Sequence, residues 1–389
     1  MMKKTLIAMA ALAATSAFAQ SSVSIVGFID TGYKNTSADT AAAKRSEISL
    51  NGTGTTAIHF RGVEDLGGGM KALFQAEIDW NPTQSSTLNG TAGSQYYAGT
   101  PFNGEQFLGL SGGFGSVKLG SPNAAALETN GVAQPFGTAL GGGFSSTVGR
   151  LGVTGLGGIN QYVGGPSAGN RIIRHEKVAR YDTPDLSGFG ASVEYSFGNA
   201  NAPVTAGNTG NASNNNKYQA LGLKYSNGPL NVRFSNTKAT ADGTNFAAGN
   251  ILAANGLNVT NATNIAGTSI TTNFLAANYT FGAATVYGGL STTKTGVAAG
   301  ENSTSWNLAG KYAVSSQVAL MANYVVVKDK RAVGALNHDR KILGLGADYR
   351  LSARTALYAR YENYDNGAAS TATTGPKQTV YMIGVNHSF

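Results

Sequence analysis

Cysteine is absent from all 389 residues, which removes disulfide frameworks and thiolate metal sites, and with them small stapled secreted scaffolds and zinc enzymes. Long apolar runs are missing too. The one from Leu6 to Ala14 falls short of the roughly 20 residues that a membrane helix needs. Histidine is scarce: His59, His175, His338 and His387 stand far apart, none in an H-E-x-x-H or other metal-ligand spacing. No G-x-S-x-G elbow or Walker A string occurs. Gly52 to Ala57 fits a loose dinucleotide pattern, but nothing helical follows it. No catalytic constellation, metal or cofactor is therefore expected. The 28 basic and 20 acidic residues give a charge of +8, scattered at strand spacing rather than clustered, so no nucleic-acid partner is expected.

What is present is glycine, 53 residues against 9 prolines, with 17 tyrosines and many Asn, Ser and Thr. That composition suits strands joined by tight turns and long polar loops. The chain opens with Lys3 and Lys4, a short apolar run, and Ala17-Phe18-Ala19 before Gln20. This is the layout of a secretory signal peptide over 1–19, leaving a mature chain 20–389.

From Gln20 the pattern is about ten residues of alternation, then a connection that is short one time and long the next. Val23, Ile25, Gly27 and Ile29 oppose Ser24 and Asp30; Ala72, Phe74, Ala76, Ile78 and Trp80 oppose Lys71, Gln75, Glu77 and Asp79; Ala191, Val193, Tyr195 and Phe197 oppose Ser192, Glu194 and Ser196. Period two marks strands with one face in an apolar medium. Later strands are read at about 269–281, 285–294, 303–314, 318–328, 340–351, 355–364 and 377–389. The total is sixteen, an even number that puts both chain ends on one side, with seven short turns and eight longer loops. In the last strand Tyr381, Ile383, Val385 and His387 share a face that ends on Phe389, as expected of a strand that pairs with the first and closes the sheet.

The fold class expected is all-β: a transmembrane, 16-stranded antiparallel β-barrel with short periplasmic turns and long extracellular loops. Sixteen strands leave an aqueous lumen. The inward parity agrees, carrying Arg61, Lys71, Glu77, Asp79, Lys118, Arg174, Glu176, Arg180, Asp182, Glu194, Lys224, Arg233, Lys311, Asp348, Arg350, Arg360 and Glu362. Such a set suits water and not a dry core. Between about 121 and 170 the alternation lapses, and so long an irregular segment in a compact fold is usually functional or disordered.

Several strings resemble the general porins of Gram-negative bacteria, of the β-proteobacterial type: Ser22-Val-Ser-Ile-Val-Gly-Phe-Ile-Asp-Thr-Gly32, Phe60-Arg-Gly-Val-Glu-Asp-Leu-Gly-Gly-Gly-Met-Lys-Ala72, Phe107-Leu-Gly-Leu-Ser-Gly-Gly-Phe-Gly115, Ala179-Arg-Tyr-Asp-Thr-Pro184, Gly222-Leu-Lys-Tyr-Ser-Asn-Gly228 and Gly384-Val-Asn-His-Ser-Phe389. The resemblance implies a homotrimer in the outer membrane, surrounded by lipid and lipopolysaccharide and inserted by the barrel-assembly machinery. It also implies passive diffusion of small hydrophilic solutes and ions, with the third loop, 121–170, folded into the lumen as a constriction. Such loops often carry Pro-Glu-Phe-Gly-Gly, whereas this chain reads Gln134-Pro135-Phe136-Gly137-Thr138, leaving Glu128 as the loop's one carboxylate. Ala57 and Gly104 stand where relatives usually place arginine, and Gly120-Ser121-Pro122 where they often have Gly-Arg-Gln.

The pore-lining residues expected at the constriction are Arg61, Lys118, Glu128, Pro135, Phe136, Gly137, Arg150, Arg174 and Arg180. Tyr381, Ile383, Val385, His387 and Phe389 are expected to close the barrel and signal its assembly. Inward bases outnumber inward acids, so a weak anion preference is expected. A substrate-specific channel is the alternative, though Tyr287, Tyr358 and Phe136 are too scattered for an aromatic slide. An outer-membrane barrel enzyme is a further one, and it would need a nucleophile or acid pair beside a histidine.

Overall fold

In a computed structural model of the chain, the described residues are 21–38, 44–83, 102–143, 153–154, 158–159, 174–175, 177–196, 217–240, 269–295, 302–329, 339–365 and 377–389. The strands are β1 (Ser22–Ala38), β2 (Arg45–Ser49), β3 (Ala57–Gly67), β4 (Met70–Asp79), β5 (Gln106–Gly112), β6 (Gly115–Ser121), β7 (Val153–Thr154), β8 (Gly158–Ile159), β9 (Val178–Asp182) and β10 (Phe189–Ser196). They continue with β11 (Lys217–Asn227), β12 (Leu230–Thr240), β13 (Ser269–Phe281), β14 (Ala284–Thr295), β15 (Asn302–Ala313), β16 (Val318–Asp329), β17 (Arg340–Arg350), β18 (Thr355–Asp365) and β19 (Lys377–Ser388). Among the described residues one helix, α1 (Ala125–Ala133), lies between β6 and β7.

Seventeen strands make one antiparallel sheet, while β7 and β8 pair only with each other. Because β2 and β3 share one place along β1, the ring has sixteen positions. It closes where β1 meets β19, from Phe28 opposite Ser388 to Ala38 opposite Gln378. One residue further, Gly27 and Phe389 exchange both backbone hydrogen bonds at 3.0 Å. The Phe389 ring lies over Gly27, where a Cβ would come within 2.2 Å of it. The last residue thus satisfies edge groups that an open sheet would leave bare.

The strand bounds give seven connections of two to six residues at one end, where the chain also begins and ends its ring, and longer ones at the other. Outward positions are apolar and exposed: Val23, Ile25, Leu108, Leu119, Leu290, Leu308, Tyr381 and Ile383 among them. Polar groups face in, including Asp30, Glu77, Arg180, Glu194, Asn307 and Glu362, all buried.

Two expectations need correction. The interior is not polar throughout: Phe274, Val325, Val327, Ile342, Val380 and Met382 point inward and form a buried cluster with Ala133 and Leu140. Apolar groups on a water-filled wall would be unfavourable, and the segment after β6 covers them. Nor is that segment wholly irregular, since α1 is a helix. After that segment the sixth barrel position is taken by β9, which begins at Val178, and Arg174 makes only an isolated bridge with Asn123.

Candidate constriction in the lumen

α1 lies against the inner faces of β11 to β15. Its own sequence supplies no N-cap side chain. The barrel wall provides one: Glu194 of β10, buried, accepts the Ala125 N–H at 2.8 Å. A carboxylate there satisfies an orphan donor and complements the positive end of the helix dipole. At the other end Asn278 donates to the Val132 carbonyl (3.1 Å) and Asn307 to the Ala133 carbonyl (2.8 Å), so wall amides satisfy terminal acceptors.

One turn into the helix, the Glu128 carboxylate meets two arginines, Arg180 of β9 at 2.6 Å and Arg233 of β12 at 2.5 Å. Arg180 is nearly enclosed and also binds Asp182 (2.6 Å), Glu194 (3.3 Å) and the Asn123 carbonyl (2.5 Å). Lys118 stands directly across from Arg180, and Lys224 directly across from Arg233, so β6, β9, β11 and β12 carry a basic ladder. Lys118 pairs with Asp182 at 3.3 Å and sits 5.3 Å over the Phe107 ring. A cavity of about 380 Å³ opens between this ladder and α1, lined by Lys118, Glu128, Arg180, Lys224 and Arg233.

Past the helix the chain follows the wall. Phe136 is 2% exposed and packs beneath the Arg360 guanidinium, 5.7 Å from its ring centre. Gly141 and Gly142, at φ of 102° and 87°, aim successive N–H groups at the buried Glu362 carboxylate, 2.8 and 3.3 Å away. Gly344 lets this turn touch β17, for a Cβ there would lie 1.7 Å from the Gly141 carbonyl oxygen.

The last anchor is the inward excursion 50–56 between β2 and β3. Asn51 accepts the Leu140 N–H at 3.0 Å, and Thr138 accepts the Thr55 N–H at 3.1 Å. This excursion is in turn clasped at the seam. Buried Asp30 of β1 accepts the N–H and hydroxyl of Thr53 (2.5 and 2.7 Å), the Gly54 N–H (3.1 Å) and the Tyr358 hydroxyl (2.5 Å). Asn386 of β19 donates to Thr53 at 3.0 Å.

A closed sixteen-position barrel with a helix-bearing loop held against its inner wall leaves room for an aqueous channel beside that loop. The sequence pattern of the Gram-negative porin family matches residues 5–369. The chain belongs to the Gram-negative porin family. It is 29% identical over 409 residues to outer membrane porin protein 32 of Delftia acidovorans, covering all of both chains. Among solved structures it is similar in fold to an anion-selective porin from Comamonas acidovorans (TM-score 0.72, 24% identity, 95% of this chain and 100% of that one). It also resembles OmpT of Vibrio cholerae in its trimer form (TM-score 0.64, 15% identity, 95% and 99%). The porin is thus a passive outer-membrane channel and not an enzyme.

The porin brings Lys118, Glu128 and Arg180 together at the loop. Arg174 is set apart, bonded to Asn123 and 3.9 Å from Glu77. Arg61 stands toward the short-turn end, exposed and bonded to Gln75. Phe136 is turned to the wall rather than the lumen, while Gly137 is exposed and Pro135 half-buried beside it. Arg150 and Glu176 lie outside the described residues, as do 1–20. At position 104 a Cβ would lie 2.2 Å from the Glu77 side chain, so glycine there leaves room for that acid. Tyr381, Ile383 and Val385 face outward, and His387 bonds Thr355 at 2.9 Å.

Parity had placed Glu194, Arg233 and Glu362 on the inner wall without singling them out as loop contacts. Asp30, read opposite the outward face of the first strand, and Asn278 and Asn307 were not singled out as anchors either, since nothing local distinguishes a wall residue that meets the loop from one that meets water.

Proposed function

We propose that the porin is a weakly anion-preferring diffusion pore whose throat lies between the basic ladder and the segment 125–143. Short turns then face the periplasm and long connections the exterior. The working form is a homotrimer, as in the trimer form of the Vibrio cholerae protein of similar fold. The mature chain starts at Gln20 after signal cleavage, and the closing segment from Tyr381 to Phe389 addresses the assembly machinery.

One observation carries the selectivity. The throat's loop carboxylate, Glu128, is already shared between Arg180 and Arg233, and the wall acids Asp30 and Glu194 are buried and hydrogen-bonded. Lys224, Lys311, Arg350, Arg61 and Lys71, by contrast, face the lumen with no ion pair among the described residues. Water-facing positive charge in a narrow lumen raises the local anion concentration. The anion-selective porin of similar fold supports the same sign.

Reversal potentials of the purified channel in a potassium chloride gradient test this reading. An anion-selective sign is expected, and a cation-selective sign overturns it. Conductance that saturates with one organic anion would make the pore substrate-specific instead.

A further inference from the structure

Between β2 and β3 the chain leaves the wall. Residues 50–56 turn into the lumen through Asn51, whose φ of 66° is a left-handed bend that asparagine tolerates. Gly52 lies on the Tyr358 ring, where a Cβ would come within 2.2 Å of it, while Thr53, Gly54 and Thr55 are partly exposed. This strap meets the end of the loop at two points. The Asn51 carbonyl accepts the Leu140 N–H at 3.0 Å, and Thr138 Oγ1 accepts from both the N–H and the hydroxyl of Thr55, each at 3.1 Å. Loop and strap therefore make one screen along the lumen, running from Glu194 on β10 past Glu362 on β18 to the β1 and β3 side.

Asp30 on β1 holds the strap. It is 0% exposed and makes no ion pair among the described residues. Its two oxygens serve different partners: Oδ2 accepts the N–H and hydroxyl of Thr53 and the N–H of Gly54, and Oδ1 accepts the Tyr358 hydroxyl. Its backbone ties down the far end, giving its N–H to the Thr56 hydroxyl at 3.0 Å and receiving that hydroxyl at its carbonyl at 3.2 Å. A buried carboxylate among neutral donors is costly to desolvate, and it persists only where several donors converge on it. These donors come from distant stretches. Tyr358 belongs to β18, and Asn386 of β19, directly across the seam from Asp30, steadies the Thr53 hydroxyl at 3.0 Å. The latch is thus complete only when the first and last strands have met.

We propose that Asp30 is a positioning residue for passage: it latches the strap, and through the strap the end of the loop, so that the throat takes one width only in a closed barrel. The inference rests on the throat lying beside the segment 125–143 and not on the sign of its ion selectivity. Without the carboxylate, the N–H groups of Thr53 and Gly54 turn to water, the strap swings, and Thr138 and Leu140 lose a fixed partner. The ladder between β1 and β19 is made by backbone groups, so releasing the strap does not open the seam.

Single-channel recording of the full mature porin in planar bilayers tests this, with the gel mobility of unheated protein reporting whether the barrel is closed. Asp30→Ala is expected to stay closed while its current flickers between levels, the released state gaining about tenfold in population as the charged acceptor is lost. Asp30→Asn, whose amide oxygen still accepts from Thr53 and Gly54, is expected to bring the current back close to wild type. Thr55→Cys with Thr138→Cys adds a lock, since the parent hydroxyls lie 3.1 Å apart and the chain has no cysteine of its own. In the Asp30→Ala background, oxidation of that pair should silence the flicker and reduction should restore it. Where Asp30→Ala fails to close, Thr138→Ala, which unties the strap from the loop away from the seam, is read instead and must flicker. A steady current from a closed Asp30→Ala barrel overturns the proposal, as does flicker that the oxidised cross-link leaves unchanged. A cation-selective wild type in which Asp30→Ala still flickers upholds the latch and overturns the selectivity reading alone.

Discussion

The inner wall beneath the loop differs between its two halves. From β6 to β12 it is charged: Lys118, Arg180, Lys224 and Arg233 face the helix, and Glu128 and Glu194 join loop to wall. From β13 to β19 it carries an apolar cluster, Phe274, Val325, Ile342, Val380 and Met382 with Ala133 and Leu140, beside polar loop contacts from Asn278, Asn307, Arg360 and Glu362. The charged half can both hold the loop and act on a passing ion, because part of it remains in water. The apolar cluster can only hold. At that cluster the position of the throat is therefore separable from its selectivity.

Removing Arg180 should do the most damage, since it joins both properties. Arg180→Ala leaves the enclosed Glu194 without its cation, and losing one partner of such a pair costs about 4 kcal/mol. Denaturant unfolding should register that loss, and reversal potentials should move toward cations. A variant as stable as wild type would show that Arg180 does not hold the loop to the charged wall.

Met382→Ala attacks the apolar cluster alone. At 1% exposure the truncation should cost about 3 kcal/mol. Its ion selectivity should stay at the wild-type value, and its loss of stability should not shrink in molar salt. A shifted reversal potential would break the separation between the two walls.

Smaller again is Asn307→Ala, which withdraws the amide from the Ala133 carbonyl at the helix end, worth about 1 kcal/mol. Channel noise recorded at fixed voltage should rise as the end of the helix loosens. Unaltered noise would mean that the neighbouring Asn278 suffices.

Least costly to the fold is Glu128→Gln, because the carboxylate is a third exposed and ion pairs of that kind contribute under about 1 kcal/mol. Its effect should appear in the current instead: with the loop's carboxylate neutral, the anion preference should strengthen. An unchanged permeability ratio would show that wall cations, not the loop, set the sign.

Much of the barrel was legible without coordinates because strand alternation is a local rule. Val23, Ile25 and Gly27 against Ser24, or Tyr381 and Ile383 against Met382, declare their faces within a few residues, and an uninterrupted apolar medium outside keeps the pattern strict. The short turns follow from the same count, as does the closing role of Phe389. The throat was legible only in part. Glu128 stood out as the loop's lone acid, and Lys118 and Arg180 by parity, yet Phe136 was misplaced because its partner Arg360 is more than two hundred positions away. Val325-Val326-Val327, apolar on both parities, hints at a strand covered on both faces.

By itself the sequence determined the number of strands, their inward and outward faces and the ends that meet, since each depends on neighbours two residues apart and on a solvent that is apolar on one side. Only the tertiary structure decided where the loop lies. α1 has no capping side chain of its own and is completed by Glu194, Asn278 and Asn307 from three separate strands. Groups so distant in the chain come together only once the sheet has curved through a full turn and its last residue has found Gly27.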